Sequence, residues 1–508
     1  MSCMWRRISV QLAVVVALAG GARLGAQSDV RALDILLKPH GVNGTIDYIN
    51  LTIHLEKPDA AAGSTVVHLP STIVSREGID LNLSDIQATD SQGALPLVEA
   101  AGSSTSTATY RDFRPQRSTS GDVTIQYRAR VGVSGHNGPL FDLLGRDGGA
   151  NGAGVSFLTL PDSHQPFRIS IRWDLSLLPP GSRGVTSRGE GTLSLVGPPD
   201  LAAYCFYFVG SVHSFTPPGS DVTLYWLTQP PFNAQVMAAN ISRLYQYETK
   251  FFGGSELAYR VFLRANPFAA SGGTAQPQSF MLGYSSTFSG NASPYQMLIA
   301  HEMTHNWPVL SGEHVDTAWY TEGTAEYYSL LLSLRDGIIS LDQFTQQINH
   351  RIASYLSNPL HTVDSNAAGE AFWKDSRAQA IPYGRGLLYL INTNERIREA
   401  THGQRNLDDV VLWVLAQQRS GKDVGNREWV DKVGSLIGED LAKADFSAMM
   451  SGSLSAALPE TFSPCLRILP RQIHPYDLGF SPQSLNTHVL KGLEPESQAA
   501  QAGLREGD

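Results

Sequence analysis

The pattern of hydrophobic and polar positions divides the chain into a strand-rich first part and a helix-rich second part. From about residue 30 to 230, apolar and polar residues alternate in short stretches between Gly, Pro and Ser clusters, as in 46–55, 122–131 and 167–173. Alternation with a period of two, together with many β-branched residues, is typical of half-buried strands. The pattern therefore predicts an N-terminal all-β domain over residues 27–231.

After residue 231 the spacing of the apolar residues changes to that of α-helices. We predict a mainly helical domain over residues 232–455, followed by a linker at 456–474 and a small module at 475–508. Residues 265–292 are rich in Ala, Gly, Ser and Pro, which is typical of an active-site loop or an edge strand. The predicted helices cover residues 234–247, 293–307, 319–335, 341–355, 384–398 and 407–418.

The first 26 residues resemble a secretory leader. Arg6 and Arg7 precede an apolar run that is too short to span a bilayer comfortably and ends close to Ala26. An uncleaved membrane anchor is the alternative, because Leu24 is a mediocre residue for a cleavage site. No later apolar run approaches the length of a membrane span, so we expect a mature chain without one, secreted or in the periplasm.

Composition and charge narrow the class of protein. The chain has 508 residues, 42% of them hydrophobic and 17% charged, and its formal net charge is −9. Such a chain is expected to fold into several domains, and its acidic balance disfavours nucleic acid as a partner. Only Cys205 and Cys465 follow the leader, and their pairing cannot be decided from the sequence. The absence of a Cys-x-x-Cys pair excludes a cysteine-rich zinc site.

The strongest chemical signal is His301-Glu302-Met303-Thr304-His305, late in a predicted helix. Residues four apart share one face of a helix, so both imidazoles can bind one Zn²⁺. Glu302 points elsewhere and can reach a water held at the metal, from which it would take a proton as general base. A chance match occurs in about 2% of chains with this content of His and Glu.

A second predicted helix carries two further acids, Glu322 and Glu326, four residues apart on one face. This pair suits one zinc ligand and one carboxylate that orients a ligand histidine. The alternative for Glu326 is an ordinary solvent-exposed helix face, where acids are common.

These segments, HEMTHNW and WYTEGTAEYY, resemble the gluzincin metallopeptidases, and most of all the glycyl aminopeptidase family. The resemblance implies a thermolysin-like (α+β) catalytic domain that binds one Zn²⁺ per chain through His301, His305 and Glu322. It also makes Glu302 the general base and Tyr383 the group that stabilises the oxyanion. Further similarity lies in residues 169–175, 186–191, 382–386, 406–410, 476–480 and 494–508. The last two stretches look like an incomplete PDZ domain within 475–508, which would bind peptides only if completed.

Two features depart from the family pattern. The gap between His305 and Glu322 is 16 residues, shorter than is usual in gluzincins, which leaves Glu326 as an alternative third ligand. The family's Gly-Gly-x-Glu-His-like segment should fall within 276–292, where no carboxylate is present. Related aminopeptidases hold the substrate amine with acids near this segment, so endopeptidase action is an alternative to aminopeptidase action.

The sequence thus predicts a zinc-dependent metallopeptidase that acts on a peptide or protein substrate. The alternative from another class is a catalytically silent binding protein that keeps zinc for stability and presents its β and PDZ-like surfaces to partners.

Overall fold

The structure is a computed structural model of the chain. It describes residues 30–42, 44–73, 76–79, 81–105, 108–132, 140–254, 258–267, 271–285, 293–458, 466, 468–469, 478–481 and 484–508. The predicted leader at 1–26 and Cys465 lie outside these residues. Cys205 is buried and carries a free thiol. Among the described helices, none combines the length and the apolar character that crossing a bilayer requires.

The described residues group into two compact units, the first made of 30–243 with 258–303. This first unit contains the strands of the described chain. The strands are β1 (Ala32–Val42), β2 (Thr45–Leu55), β3 (Val67–Ile73), β4 (Arg76–Glu77), β5 (Gln87–Asp90), β6 (Gly93–Ala94), β7 (Leu97–Ser104), β8 (Ala108–Pro115), β9 (Val123–Arg130), β10 (Leu144–Arg146), β11 (Gly149–Ala153), β12 (Phe167–Trp173), β13 (Arg183–Thr186), β14 (Gly189–Glu190), β15 (Leu193–Gly197), β16 (Phe206–Gly210), β17 (His213–Phe215), β18 (Val222–Trp226), β19 (Tyr259–Ala265), β20 (Gly272–Gln276) and β21 (Ser279–Tyr284).

The strands form four sheets. The largest has the order β15-β12-β1-β2-β9-β5-β6, two five-stranded sheets have the orders β10-β11-β16-β13-β14 and β17-β18-β19-β21-β20, and a four-stranded sheet has the order β4-β3-β8-β7. In β1 the side chains of Leu33, Ile35 and Leu37 are fully buried, as the period of two requires. The three strands predicted at 46–55, 122–131 and 167–173 are β2, β9 and β12 of the largest sheet. The β-rich N-terminal region is thereby confirmed.

The sheet that contains β17 to β21 extends the β structure beyond the predicted boundary at residue 231. Strand β19 lies parallel to both β18 and β21, and β20 pairs with β21 as an antiparallel edge strand. Of the two interpretations of 265–292, the edge strand is therefore present within residues 272–276. Residues 286–292 lie outside the described part of the chain. The domain boundaries themselves stay a prediction.

The second compact unit comprises 244–254 and 304–508 and is helical. The six predicted helices appear as α2, α3, α4, α5, α8 and α9 of the full set, with shifted ends, so the helical C-terminal region is confirmed. The helices are α1 (Asp200–Ala203), α2 (Ala234–Phe252), α3 (Ser293–Thr304), α4 (His314–Arg335), α5 (Leu341–Leu356), α6 (Ser365–Ala371), α7 (Ser376–Gln379), α8 (Ile381–Ala400), α9 (Leu407–Arg419), α10 (Asn426–Ile437), α11 (Glu439–Ser451), α12 (Ser484–Thr487) and α13 (Gln498–Gln501).

The predicted PDZ-like module is not confirmed. Residues 478–481 and 484–508 contain the short helices α12 and α13 and no strand. Tyr476 and Asp477, which belong to the segment that suggested a PDZ domain, lie outside the described residues.

Candidate metal centre

The first part of the site is helix α3. His301 and Glu302 are fully buried in it, among the apolar side chains of Ile299 and Met303. A helix whose residues are mostly buried lies in a protein core, so two neighbouring titratable residues close to its C-terminal end call for a chemical explanation.

Helix α3 ends earlier than the sequence predicts. Its last residue is Thr304, not Trp307, and His305 is the first residue beyond the helix. The Trp307 amide donates to the carbonyl of Thr304 at 3.1 Å, which closes a turn in place of a further helical turn. The physical reason is Pro308, because a residue that precedes proline disfavours the helical conformation. The second histidine of the motif is therefore placed by a turn.

Helix α4 supplies the acids. It begins at His314, five residues before the predicted start, and Glu322 and Glu326 expose only 1% and 2% of their surface. The alternative of a solvent-exposed face for Glu326 is therefore wrong. Both carboxylates lie inside the protein, where each needs a compensating charge or hydrogen bonds.

His301, His305 and Glu322 meet at one point. Each offers a ligand atom within 4.8 Å of the others, and the distance from His305 Nε2 to Glu322 Oε2 is 3.6 Å. Zinc holds such ligands tetrahedrally at about 2.0 to 2.2 Å, which separates neighbouring ligand atoms by about 3.3 to 3.6 Å. The donor set fits this ion, and so does the distance between His305 and Glu322. Within the described part of the chain, no other set of three or more His, Cys, Asp and Glu side chains brings its ligand atoms this close together.

Glu326 has a different neighbour. Its carboxylate forms an ion pair with Nε of Arg351, a buried residue of α5. Arg351 also donates to the side chain of Gln347, one turn earlier in α5. The guanidinium thus neutralises Glu326 inside the protein, and Glu326 is not part of the His-His-Glu group.

The helix that carries Glu322 packs closely against α8. A Cβ atom added to Gly323 would lie 2.7 Å from Cα of Gly386, a distance that real Cβ contacts do not reach. The absence of side chains at both positions lets the two backbones touch. Helix α8 begins at Ile381 and carries Tyr383 in its first turn, so this contact fixes α8 relative to the helix of Glu322.

Tyr383 is half-buried, and its ring stacks on Phe372 with centroids 6.5 Å apart and an interplanar angle of 15°. Its neighbour in the same helix, Arg385, is completely buried. The Arg385 guanidinium donates to the carbonyls of His361 and Val363 at 2.9 and 2.6 Å. These bonds hold the segment before α6 against the start of α8, where Tyr383 lies.

One buried acid near α3 was missed by the sequence analysis. Glu248 of α2 is fully buried and accepts a hydrogen bond of 3.1 Å from the hydroxyl of Thr304. Burial raises the pKa of the Glu248 carboxyl well above its usual range, against the opposing effect of that hydrogen bond. A usable signal existed, because Tyr245, Glu248 and Phe252 follow the spacing of an apolar helix stripe.

Comparisons with known proteins agree with this arrangement. The family model of the M61 glycyl aminopeptidases matches residues 295–380, which include all the residues of the His-His-Glu group. The resemblance inferred from the sequence is thereby confirmed over this segment. No curated protein sequence matches the chain.

Three solved structures show the fold. An aminopeptidase N family protein from Idiomarina loihiensis has a TM-score of 0.67 at 14% identity, covering 94% of this chain and 88% of its own. An M1 zinc metallopeptidase variant from Deinococcus radiodurans, bound to a Tyr-Ser-Ala substrate, has a TM-score of 0.53 at 16% identity, covering 88% and 96%. Leukotriene A4 hydrolase from Saccharomyces cerevisiae has a TM-score of 0.51 at 14% identity, covering 87% and 69%. The chain shares the fold of these proteins.

Proposed function

We propose that this chain is a zinc-dependent metallopeptidase that hydrolyses peptide bonds, with His301, His305 and Glu322 as the ligands of one zinc ion. The observation that carries the proposal is the buried group of two imidazoles and one carboxylate, whose ligand atoms all lie within 4.8 Å of one another. Nitrogen and oxygen donors in this ratio are typical of catalytic zinc sites, which keep a fourth position for water or substrate.

The buried acid next to the first ligand has the role of general base. Zinc, when bound, supplies a Lewis acid that polarises the scissile carbonyl and makes water more acidic. Glu302 accepts the proton of the attacking water and passes it to the leaving amine. Its complete burial supports this role, because a site closed to bulk water keeps the proton between the base and the reacting groups.

The Tyr383 hydroxyl is the proposed donor to the oxyanion that develops on the substrate carbonyl. A donor contributes most to such stabilisation when its position is fixed before the reaction. The ring contact with Phe372 and the close packing of α8 against α4 supply this fixation.

The experiment is a comparison of wild type with Glu302→Gln. The substitution keeps the shape of the side chain and removes the base, so we expect kcat to fall by roughly 10²- to 10⁴-fold with zinc content unchanged. A Gln347→Ala variant, changed at a partner of Arg351, is the control and should retain activity. Full activity of Glu302→Gln would contradict the mechanism, and an inactive wild type with one bound zinc would favour the silent binding protein.

Endopeptidase action is the second candidate, and one observation favours it. Strands β20 and β21 and the turn between them contain no carboxylate that could hold a substrate amine. The matched measurement uses one peptide with a free and with an acetylated N-terminus. An aminopeptidase rejects the blocked peptide, whereas an endopeptidase cleaves both.

The proposal extends to the compartment. The sequence of residues 1–26 supports export of the protein to the periplasm or the medium. Mass spectrometry of the exported protein tests this point through the identity of its N-terminal residue.

A further inference from the structure

The last two turns of α2 place an acid where an apolar residue is expected. Tyr245 and Phe252 pack on the Trp307 ring with centroids 5.9 and 5.4 Å away. Glu248 lies between them on the same side of the helix, at the spacing of three and four residues that defines one face. It is completely buried. Burying a carboxyl group costs free energy unless the group makes specific contacts, so this position requires an explanation.

Glu248 contacts the C-terminal end of α3, the helix that carries His301 and Glu302. The Thr304 hydroxyl donates to Glu248 Oε1 at 3.1 Å, and Thr304 is itself completely buried. Thr304 is the last residue of α3, and His305 follows it directly. The contact therefore joins α2 to the peptide from which the second imidazole of the candidate centre extends.

Such an anchor has a physical purpose at this point of the chain. The last residues of a helix lack intrahelical partners for their carbonyl groups and tend to fray. His301 lies inside α3 and is held by the regular helix, but His305 lies just beyond its end. A ligand in that position depends on side-chain contacts to stay at 3.6 Å from Glu322.

We infer that Glu248 is a positioning residue of the metal centre, which acts through Thr304 to hold the His305 imidazole in its ligating place. The inference rests on the proposed zinc site. Glu248 does not take part in the chemistry, and its contribution is to the affinity and geometry of the metal complex. Outer contacts that orient metal ligands commonly change metal affinity by about 10- to 100-fold when they are removed.

Burial favours the neutral form of the Glu248 carboxyl, which makes glutamine the conservative replacement. The amide oxygen of Gln can accept the same hydrogen bond from Thr304 and adds no charge. Leucine keeps the bulk of the side chain and removes the acceptor. Thr304→Val removes the donor with almost no change of shape, so it tests the same bond from its other end.

The experiment measures the zinc affinity of the purified full chain by competition with a chelator. Four variants are compared with wild type: Glu248→Gln, Glu248→Leu, Thr304→Val and the double variant Glu248→Leu/Thr304→Val. The absorption spectrum of the Co²⁺-substituted protein reports the ligand geometry, and thermal unfolding of the metal-free protein reports folding. Asn392→Leu in α8 is the matched control, because it removes two partly buried hydrogen bonds, one donated to the Ala456 carbonyl and one accepted from the Leu458 amide.

We expect Glu248→Leu and Thr304→Val to weaken zinc binding by about 10- to 100-fold and to change the Co²⁺ spectrum, with Glu248→Gln within about threefold of wild type. The double variant should lose no more than either single variant, because both remove the same bond. Wild-type zinc affinity and a wild-type Co²⁺ spectrum in both Glu248→Leu and Thr304→Val would overturn the inference. An equal loss of zinc affinity in Asn392→Leu would overturn it as well. If Glu248→Leu does not fold, Thr304→Val decides. A wild-type chain without zinc affinity would instead overturn the proposed function.

Discussion

Two neighbouring turns of α4 carry glutamates that are both almost fully buried, but one lies next to an imidazole and the other next to a guanidinium. Glu322 exposes 1% of its surface and lies 3.6 Å from an imidazole nitrogen of His305. Glu326, one turn later, exposes 2% and pairs with the guanidinium of Arg351. Both positions hold a glutamate, and both side chains are almost fully buried. The difference is the charge that the rest of the fold brings to each carboxylate.

The comparison shows that the fold gives two buried acids of one helix different neighbours. A carboxylate next to a fixed guanidinium already has its counter-charge, so it is a poor ligand for a metal ion. A carboxylate next to imidazoles, which are neutral when they act as ligands, can serve together with them as a metal ligand. Under the proposed function, helix α4 carries one acid of the candidate metal centre and one acid that pairs with Arg351 inside the protein.

The largest expected effect is on kcat/KM, which should respond differently to substitutions of Glu322 and of Glu326. Glu322→Gln neutralises the proposed ligand and should lower kcat/KM by more than about 100-fold, because a lost ligand costs more than a lost outer contact. Glu326→Gln, the matched change one turn away, should leave kcat/KM within about threefold of wild type once the protein is folded. Steady-state kinetics at saturating zinc measure both. Equal losses would show that the comparison is wrong.

The second prediction concerns stability. Glu326→Leu leaves the Arg351 charge buried without its partner, which should lower the free energy of unfolding by about 3 to 5 kcal/mol. The double variant Glu326→Leu/Arg351→Leu removes both charges and should recover most of that loss. Urea unfolding of the metal-free chain measures the difference. Glu439→Gln, which breaks the exposed pair with Lys443 on α11, is the control and should change stability little.

The smallest expected effect concerns the contact that joins α4 to α8. Gly386→Ala adds a methyl group where the helix backbones touch. Such overpacking typically lowers the free energy of unfolding by about 1 to 3 kcal/mol. Because Tyr383 lies one turn away in α8, kcat should fall while zinc content stays unchanged. Gly434→Ala, where the added Cβ would meet Cα of Glu439 at 3.2 Å, is the matched helical control. If Gly386→Ala behaves like Gly434→Ala, the contact does not position Tyr383.

Local patterns located three strands and six helices, with shifted ends. The alternation at 46–55 and the helical spacing at 341–355 depend on neighbours in sequence, and the structure has β2 (Thr45–Leu55) and α5 (Leu341–Leu356) there. Strand β19 was not predicted, because β18 and β21 flank it in the sheet and its residues are mostly buried, which removes the alternation.

Residues that are close in sequence indicated the candidate site directly, whereas Glu322 and Tyr383 were assigned to it through the family resemblance. The HEMTH segment indicated a metal centre because its spacing alone brings the imidazoles together. The sequence left both Glu322 and Glu326 open as the third ligand, because the contact that distinguishes their surroundings comes from Arg351, 25 residues after Glu326. Glu248 likewise meets Thr304 across 56 residues of chain. Contacts of this kind are created by packing and leave no local pattern.

The most direct test of the central claim is the zinc content of the purified chain, of Glu322→Ala and of Glu326→Gln, measured by mass spectrometry. The account predicts about one zinc per chain in wild type and in Glu326→Gln, and zinc largely lost from Glu322→Ala. Zinc retained in Glu322→Ala and lost from Glu326→Gln would contradict it, because the metal would then depend on the acid that faces Arg351.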